Sequence, residues 1–281
     1  MIVRVGQQVG NYRVTRLLGT GGFAVVYLGE HCYLNTQVAL KFLHTQLSPT
    51  AIEDIFTEAR HLSKLMHPHI VRLLDFGIEE KTPFLVMDYA PGGTLRERHP
   101  KGVAVPLPTV VSYAGDVASA LQYTHKNGLI HRDLKPENLL IGRNGEILLS
   151  DFGIALLSST TVSEYIPEMF GSLFYMAPEQ IRGKPQPASD QYALAILVYE
   201  WLCGDLPFHG SIIALRDQHL HSIPVPLHQK NPAISPAVEK VVLQALSKDP
   251  ANRFPDVYSF AEALVENSTL RSSRHRKTHS A

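Results

Sequence analysis

Cysteine is nearly absent: Cys32 and Cys203 are the only two among 281 residues. That number cannot supply a disulfide framework, and the usage suits a reducing compartment. Net charge is missing as well, since Lys+Arg and Asp+Glu both number 26. The overall balance therefore points neither to nucleic acid nor to an acidic membrane surface. Long apolar runs are also lacking. The best candidate, Tyr192 to Cys203, is interrupted by Glu200 and too short to span a bilayer, so it reads as a buried helix. No charged n-region, apolar h-region and cleavage site opens the chain, so secretion is not expected and a cytoplasmic location is. Fourteen histidines are scattered without ligand spacing, and no metal is assigned to them. There is no GxxxxGK[ST], which excludes a P-loop nucleotide site, and there are no internal repeats.

What is present describes a soluble globular chain with a sizeable core, 44% hydrophobic and 19% charged. Alternation from Tyr12 to Leu28, broken by Gly19-Thr20-Gly21-Gly22, predicts two strands joined by a glycine turn. Gln37 to Leu43 reads as a third strand, Ile70 to Leu74 and Phe84 to Met87 as two more. Ile52 to Leu65 carries Ile55, Ala59, Leu62 and Leu65 at helical spacing. After Pro91-Gly92-Gly93 the pattern turns helical. Thr109 to Lys126 has Thr109 as N-cap candidate and Asn127-Gly128 as its stop. Ser189 to Leu202 is apolar around most of its circumference, and Pro236 to Ser247 and Val257 to Val265 read as outer helices. The expected class is α+β, with two lobes joined near Asp88-Tyr89-Ala90. The end of the chain carries Arg271, Arg274, Arg276 and Lys277 and reads as a solvated terminus, a membrane-surface role being the alternative.

The chemistry is concentrated in His131-Arg132-Asp133-Leu134-Lys135-Pro136-Glu137-Asn138 and, further on, Asp151-Phe152-Gly153. The first run puts a carboxylate, an ammonium and a carboxamide on one loop, and the second adds another carboxylate. Phosphoryl transfer from a metal-bound nucleotide needs these groups: an acceptor for the attacking hydroxyl's proton, a cation near the moving phosphate, and hard oxygen ligands for Mg²⁺. From about Tyr12 to Leu264 the chain resembles the Hanks-type serine/threonine protein kinases, bacterial members above all. The resemblance implies a bilobal fold, with a small antiparallel sheet lobe at 12–87, a hinge at 88–90, a mainly helical lobe at 91–264 and a short basic tail at 265–281.

It also implies roles. Asp133 is the catalytic base and Lys135 the cation on the γ-phosphate; Asn138 and Asp151 are metal ligands. Val38-Ala39-Leu40-Lys41 matches the family's strand lysine, with Glu58 as its partner. The glycines Gly19, Gly21 and Gly22 approach the phosphates, while Ala24 stands where the family usually has a third glycine. Val26, Ala39 and Leu140 clamp adenine, which bonds to the backbone of Asp88 and Ala90 beside the gatekeeper Met87. His131 packs rather than reacts, stacking with Leu62, Leu73 and Phe152, so that Phe152 switches Asp151 in and out. Glu179 and Arg253 form an ion pair, and Asp190 anchors the catalytic loop. Ser172 replaces the usual threonine and bridges Asp133 and Lys135. Arg132 implies control by phosphorylation of the activation segment, on Thr160 or Thr161. Asp75-Phe76-Gly77-Ile78 repeats the tetrapeptide at Asp151 and reads as a turn, because Asp and Gly are turn formers.

The implied cofactors are ATP and Mg²⁺, with Mn²⁺ as substitute. The implied partners are proteins bearing Ser or Thr, with a homodimer for trans-autophosphorylation as an option and neither nucleic acid nor a membrane span. A catalytically silent scaffold of the same fold is the second reading, and a small-molecule phosphotransferase the third. Lys41, Asp133 and Asp151 are all intact, which disfavours the scaffold. Ala177-Pro178-Glu179, closing the activation segment, disfavours the small-molecule enzyme.

Overall fold

A computed structural model of the chain describes residues 4–22, 24–44, 56–57, 59–152 and 171–269. They fall into two compact units, Met1–Gly92 with Ile141–Met169, and Gly93–Leu140 with Phe170–Ala281. The first unit thus takes back a stretch that the sequence placed in an undivided second lobe. Leu149 explains it: its carbonyl accepts the Val71 N–H at 3.0 Å and its N–H donates to the His69 carbonyl at 2.9 Å.

The first unit is built on a six-stranded antiparallel sheet: β1 (Gln8–Val9), β2 (Tyr12–Thr20), β3 (Ala24–His31), β4 (Gln37–Leu43), β5 (Leu73–Glu79) and β6 (Thr82–Asp88), in spatial order β1-β2-β3-β4-β6-β5. Period-2 alternation sends Val38, Leu40 and Phe42 of β4 to the same side as Tyr12, Val14, Phe84 and Val86, and these form its core. Helical backbone covers 56–57 and 59–62, with Ala59, Leu62 and Leu65 buried as the spacing predicts.

Asp75-Phe76-Gly77-Ile78 is not a turn. It lies inside β5, and the strand expected at Ile70 to Leu74 begins at Leu73 instead. The hairpin turn is Glu80-Lys81, both at positive φ (45° and 68°). Gly77 is required for a different reason: a Cβ there would stand 2.4 Å from the Phe84 ring on the neighbouring strand.

The second unit is helical: α1 (Leu95–Arg98), α2 (Leu107–Lys126), α3 (Pro178–Ile181), α4 (Pro187–Cys203), α5 (Ile212–His221), α6 (Leu227–Lys230), α7 (Pro236–Ala245) and α8 (Val257–Thr269). Thr109 does not cap α2. The helix starts two residues earlier, with Pro106 as the cap residue and Pro108 in the first turn, where a missing N–H costs nothing. Its end is as expected, at Asn127 followed by Gly128 at φ +76°. The α4 helix is buried from Ser189 to Leu202 and stops at Gly204 in the left-handed region. It packs on α2, α7 and α8. Among the described residues no helix is long and apolar enough to cross a membrane.

Candidate active site

In the first unit, Lys41 sits mid-strand, opposite Val26 on β3 and Leu85 on β6. Pairing on both sides fixes its backbone, and its ammonium reaches Asp151 Oδ1 at 2.7 Å. Asp151 itself holds φ +61°. A non-glycine residue there costs roughly 1 kcal/mol or more, and such strain is characteristic of functional segments. Beside this pair lies a cavity of about 30 Å³ whose walls include Leu62, Leu73, Met87 and Phe152. Three members of the expected stack therefore share one small space in this unit.

The glycine turn stands apart from the packing. Gly19 and Gly21 both lie outside the positive-φ set, a Cβ on Gly19 would meet nothing within 4 Å, and one on Gly21 only the Ala24 carbonyl at 3.8 Å. Neither strain nor crowding demands glycine, so its effect is the open approach it leaves over the backbone. Gly22 follows in a bend. Ala24 is a buried residue of β3, paired with Leu43, so its methyl serves the sheet. Ala39 and Ala90 are buried and Val26 partly so. Asp88 pairs with Arg72 through its carboxylate at 2.9 Å, and its N–H donates to the Arg72 carbonyl at 3.1 Å.

In the second unit the loop from His131 to Asn138 hangs from the core helix. Asp190 Oδ2 accepts the His131 N–H at 2.9 Å and pairs with His125 Nε2 at 2.7 Å, while Oδ1 accepts the Arg132 N–H at 2.9 Å. These bonds hold Arg132 at φ +68°. Gln180 on α3 adds a bond to the Arg132 carbonyl at 2.6 Å. His131 is fully buried, and its Nδ1 accepts the Asp133 N–H.

Four side chains converge beyond that anchor. Asp133 Oδ2 accepts from Lys135 Nζ at 2.8 Å and from Asn138 Nδ2 at 3.0 Å; Oδ1 accepts from Ser172 Oγ at 2.6 Å. Lys135 also donates to Ser172 Oγ at 3.0 Å, and Asn138 Nδ2 to the Asp133 carbonyl at 2.7 Å. Asn138 is buried at the end of the short 3₁₀ turn Pro136–Asn138. Leu140, just after it, bridges to Thr94.

The segment carrying Ser172 is clamped further along. Arg253 meets Glu179 in two parallel hydrogen bonds of 2.8 Å, with Ser189 Oγ donating to Glu179 Oε1 at 2.7 Å. Burial alone would push the Glu179 carboxyl up, but the Arg253 guanidinium and Ser189 outweigh it and hold it below its usual range.

The sequence reading passed over one residue. Arg96 is the centre of a partly buried cluster with Glu137, Tyr175 and Glu200. The capping box of Thr94 and Glu97, which starts α1, was the available signal. Glu58, Thr160 and Thr161 lie outside the described residues.

Comparison with known proteins agrees with this geometry. A family profile described as "Protein kinase domain" matches residues 12–267. The chain is 36% identical over 262 residues to the serine/threonine-protein kinase PrkC of Bacillus subtilis, covering 89% of this chain and 39% of that protein. It is 37% identical to the serine/threonine-protein kinase Pkn1 of Myxococcus xanthus, covering 92% and 38%. It is 36% identical to the serine/threonine-protein kinase PknB of Mycobacterium leprae, covering 90% and 42%. The chain thus spans roughly two fifths of the length of these relatives.

Proposed function

This chain belongs to the protein kinase family, and on that premise we propose that it transfers the γ-phosphoryl group of ATP to serine and threonine hydroxyls of proteins. The observation that carries the reading is the cluster on Asp133: an ammonium, a carboxamide and an alcohol, all within 3.0 Å of one carboxylate. An alcohol already donates to Oδ1, so this carboxylate is a working acceptor for a hydroxyl proton. A substrate serine or threonine donates to it in the same way, and Asp133 takes the proton as the oxygen attacks phosphorus.

Lys135 meets negative charge on the transferred group. Lys41 binds the α- and β-phosphates, and the open backbone at Gly19, Gly21 and Gly22 receives the phosphate oxygens. Val26 and Ala39 in the first unit, and Leu140 in the second, are the apolar residues assigned to the base, and backbone groups of Asp88 and Ala90 hydrogen-bond its edge.

Asp151 in the first unit and Asn138 in the second each carry a hard oxygen of the kind Mg²⁺ takes. When bound, the ion neutralises charge on the phosphates, and Mn²⁺ suits the same oxygens. Asn138 donates Nδ2 to Asp133, and its amide oxygen is the atom whose chemistry suits the ion.

The same reading places regulation on Thr160 or Thr161. A phosphate there carries nearly two negative charges toward Arg132. A second copy of the chain supplies them by trans-autophosphorylation, and use of ATP puts the domain on the cytoplasmic side. Phosphopeptide mapping of active protein should find one of the two modified.

The primary test is incubation of the chain with labelled Mg-ATP and a generic protein acceptor, beside Asp133→Asn. Label on serine or threonine that disappears in the variant is the expected result. Mg-ATP binding without transfer, even after pre-incubation at high protein concentration, would overturn it in favour of a scaffold.

A further inference from the structure

Arg96 lies in the short helix α1, well before the catalytic loop, and its guanidinium uses every face of its fork. Nε donates to Glu137 Oε1 at 3.0 Å, Nη1 to Glu200 Oε1 at 2.7 Å, and Nη2 to Tyr175 Oη at 2.6 Å and to Glu200 Oε2 at 3.3 Å. Tyr175 Oη in turn donates to Glu200 Oε2 at 2.7 Å. Each partner belongs to a different element. Glu137 precedes Asn138 on the 3₁₀ turn, Tyr175 follows Ser172 by three residues, and Glu200 projects from the buried helix α4. The arginine is itself fixed from below, because Leu95 beside it is fully buried and Thr94 bridges to Leu140.

We propose that Arg96 is a positioning residue for phosphoryl transfer, setting the distance between the turn that carries Asn138 and the segment that carries Ser172. The inference rests on the kinase reading above. Asn138 and Ser172 both hold Asp133, on its two different oxygens, and Lys135 at the start of the turn also donates to Ser172 Oγ. Arg96 ties these elements to one another and to the core. Only a planar fork can do so, since a lysine offers one ammonium to three directions. The Glu137 arm argues against a purely structural role. Its side chain is 45% exposed, and a pair so open to solvent contributes little to folding. What it fixes is where the 3₁₀ turn sits.

Glu137→Ala in the whole chain cuts that arm alone. The expected result is an unchanged thermal midpoint, a Mg²⁺ requirement raised roughly tenfold, a lower kcat and an unchanged KM for the acceptor. Thermal stabilisation by Mg-ADP, a readout independent of turnover, should need correspondingly more Mg²⁺. Arg96→Met combined with Glu200→Gln removes the fork without stranding a buried charge, and it should fold yet show the same defect. Arg96→Lys should recover only part of kcat. Wild-type Mg²⁺ dependence and kcat in Glu137→Ala, or full kcat in the double variant, would overturn the role. Absence of transfer by the unaltered chain would instead overturn the kinase reading, and the Mg-ADP comparison would still decide whether Arg96 governs the metal-binding turn.

Discussion

Ser172 Oγ stands 2.6 Å from Asp133 Oδ1 and 3.0 Å from Lys135 Nζ, so one hydroxyl spans the base and the cation. It accepts from the ammonium while donating to the carboxylate, which adds a second link beside the direct 2.8 Å bond between the two charges. Removing it in Ser172→Ala deletes hydrogen bonds to two charged groups, each worth about 1.5–3 kcal/mol. A partial loss of that order should lower kcat by roughly tenfold with little change in KM for ATP. Ser172→Thr should restore the rate, its branched side chain holding χ1 more firmly. Steady-state phosphorylation of a peptide decides it, and a wild-type rate in the alanine variant would mark the hydroxyl as a bystander.

Two glycines should respond in opposite ways. At Gly77 a Cβ meets the Phe84 ring at 2.4 Å, so Gly77→Ala should destabilise the chain by about 1–3 kcal/mol. At Gly19 a Cβ meets nothing, so Gly19→Ala should change stability by less than about 0.5–1 kcal/mol while raising KM for ATP. Urea midpoints and ATP titrations, run side by side on both variants, separate packing from phosphate approach.

The Arg253–Glu179 pair is buried at both ends. Replacing only Arg253 with Met leaves a carboxylate without its partner and should cost about 3–5 kcal/mol. Pairing depresses the folded-state value of Glu179 below 4.5. Its contribution is therefore complete above that pH and is lost as pH falls through the lower folded value. Denaturation curves from pH 3 to 6 should show less acid sensitivity in Arg253→Met than in the parent.

His219 acts over a different window. It is fully buried and accepts or donates one hydrogen bond with Tyr192 at 3.0 Å. Burial, then the nearby Lys248 charge, pushes its value down to about 3 from 6.5. Between those limits the unfolded chain binds a proton that the folded chain refuses. Stability should thus rise with pH by up to about 1.4 kcal/mol per unit across that range and level off above it. In His219→Gln this part of the slope should vanish, and an unchanged slope would place the acid sensitivity elsewhere.

The loop from His131 to Asn138 was legible because its chemistry is contiguous, and the strands at Gln37 to Leu43 and around the glycine turn because their alternation is regular. The failures have physical causes. Asp75 and Gly77 carry turn chemistry, yet Gly77 exists for a ring on the adjacent strand, and the actual turn uses Glu80 and Lys81, which no propensity rule nominates. Thr109 had the right chemistry for a cap, but Pro106 and Pro108, one residue either side of the true start at Leu107, decided the boundary. Arg96 was opaque because its meaning depends on Glu200, more than a hundred positions away, and nothing local to either residue announces the meeting.

The attachment of the catalytic loop to Asp190 also governs when competence appears. Asp190 belongs to a helix that is enclosed along nearly its whole length, and its carboxylate and Gln180 hold the loop's left-handed residue. A chain still assembling its helical core, or one whose core has been damaged, has no fixed Asp133 to offer. On the proposed kinase reading, emerging and failing copies should therefore transfer no phosphate, so that the integrity of the interior sets whether the loop can work.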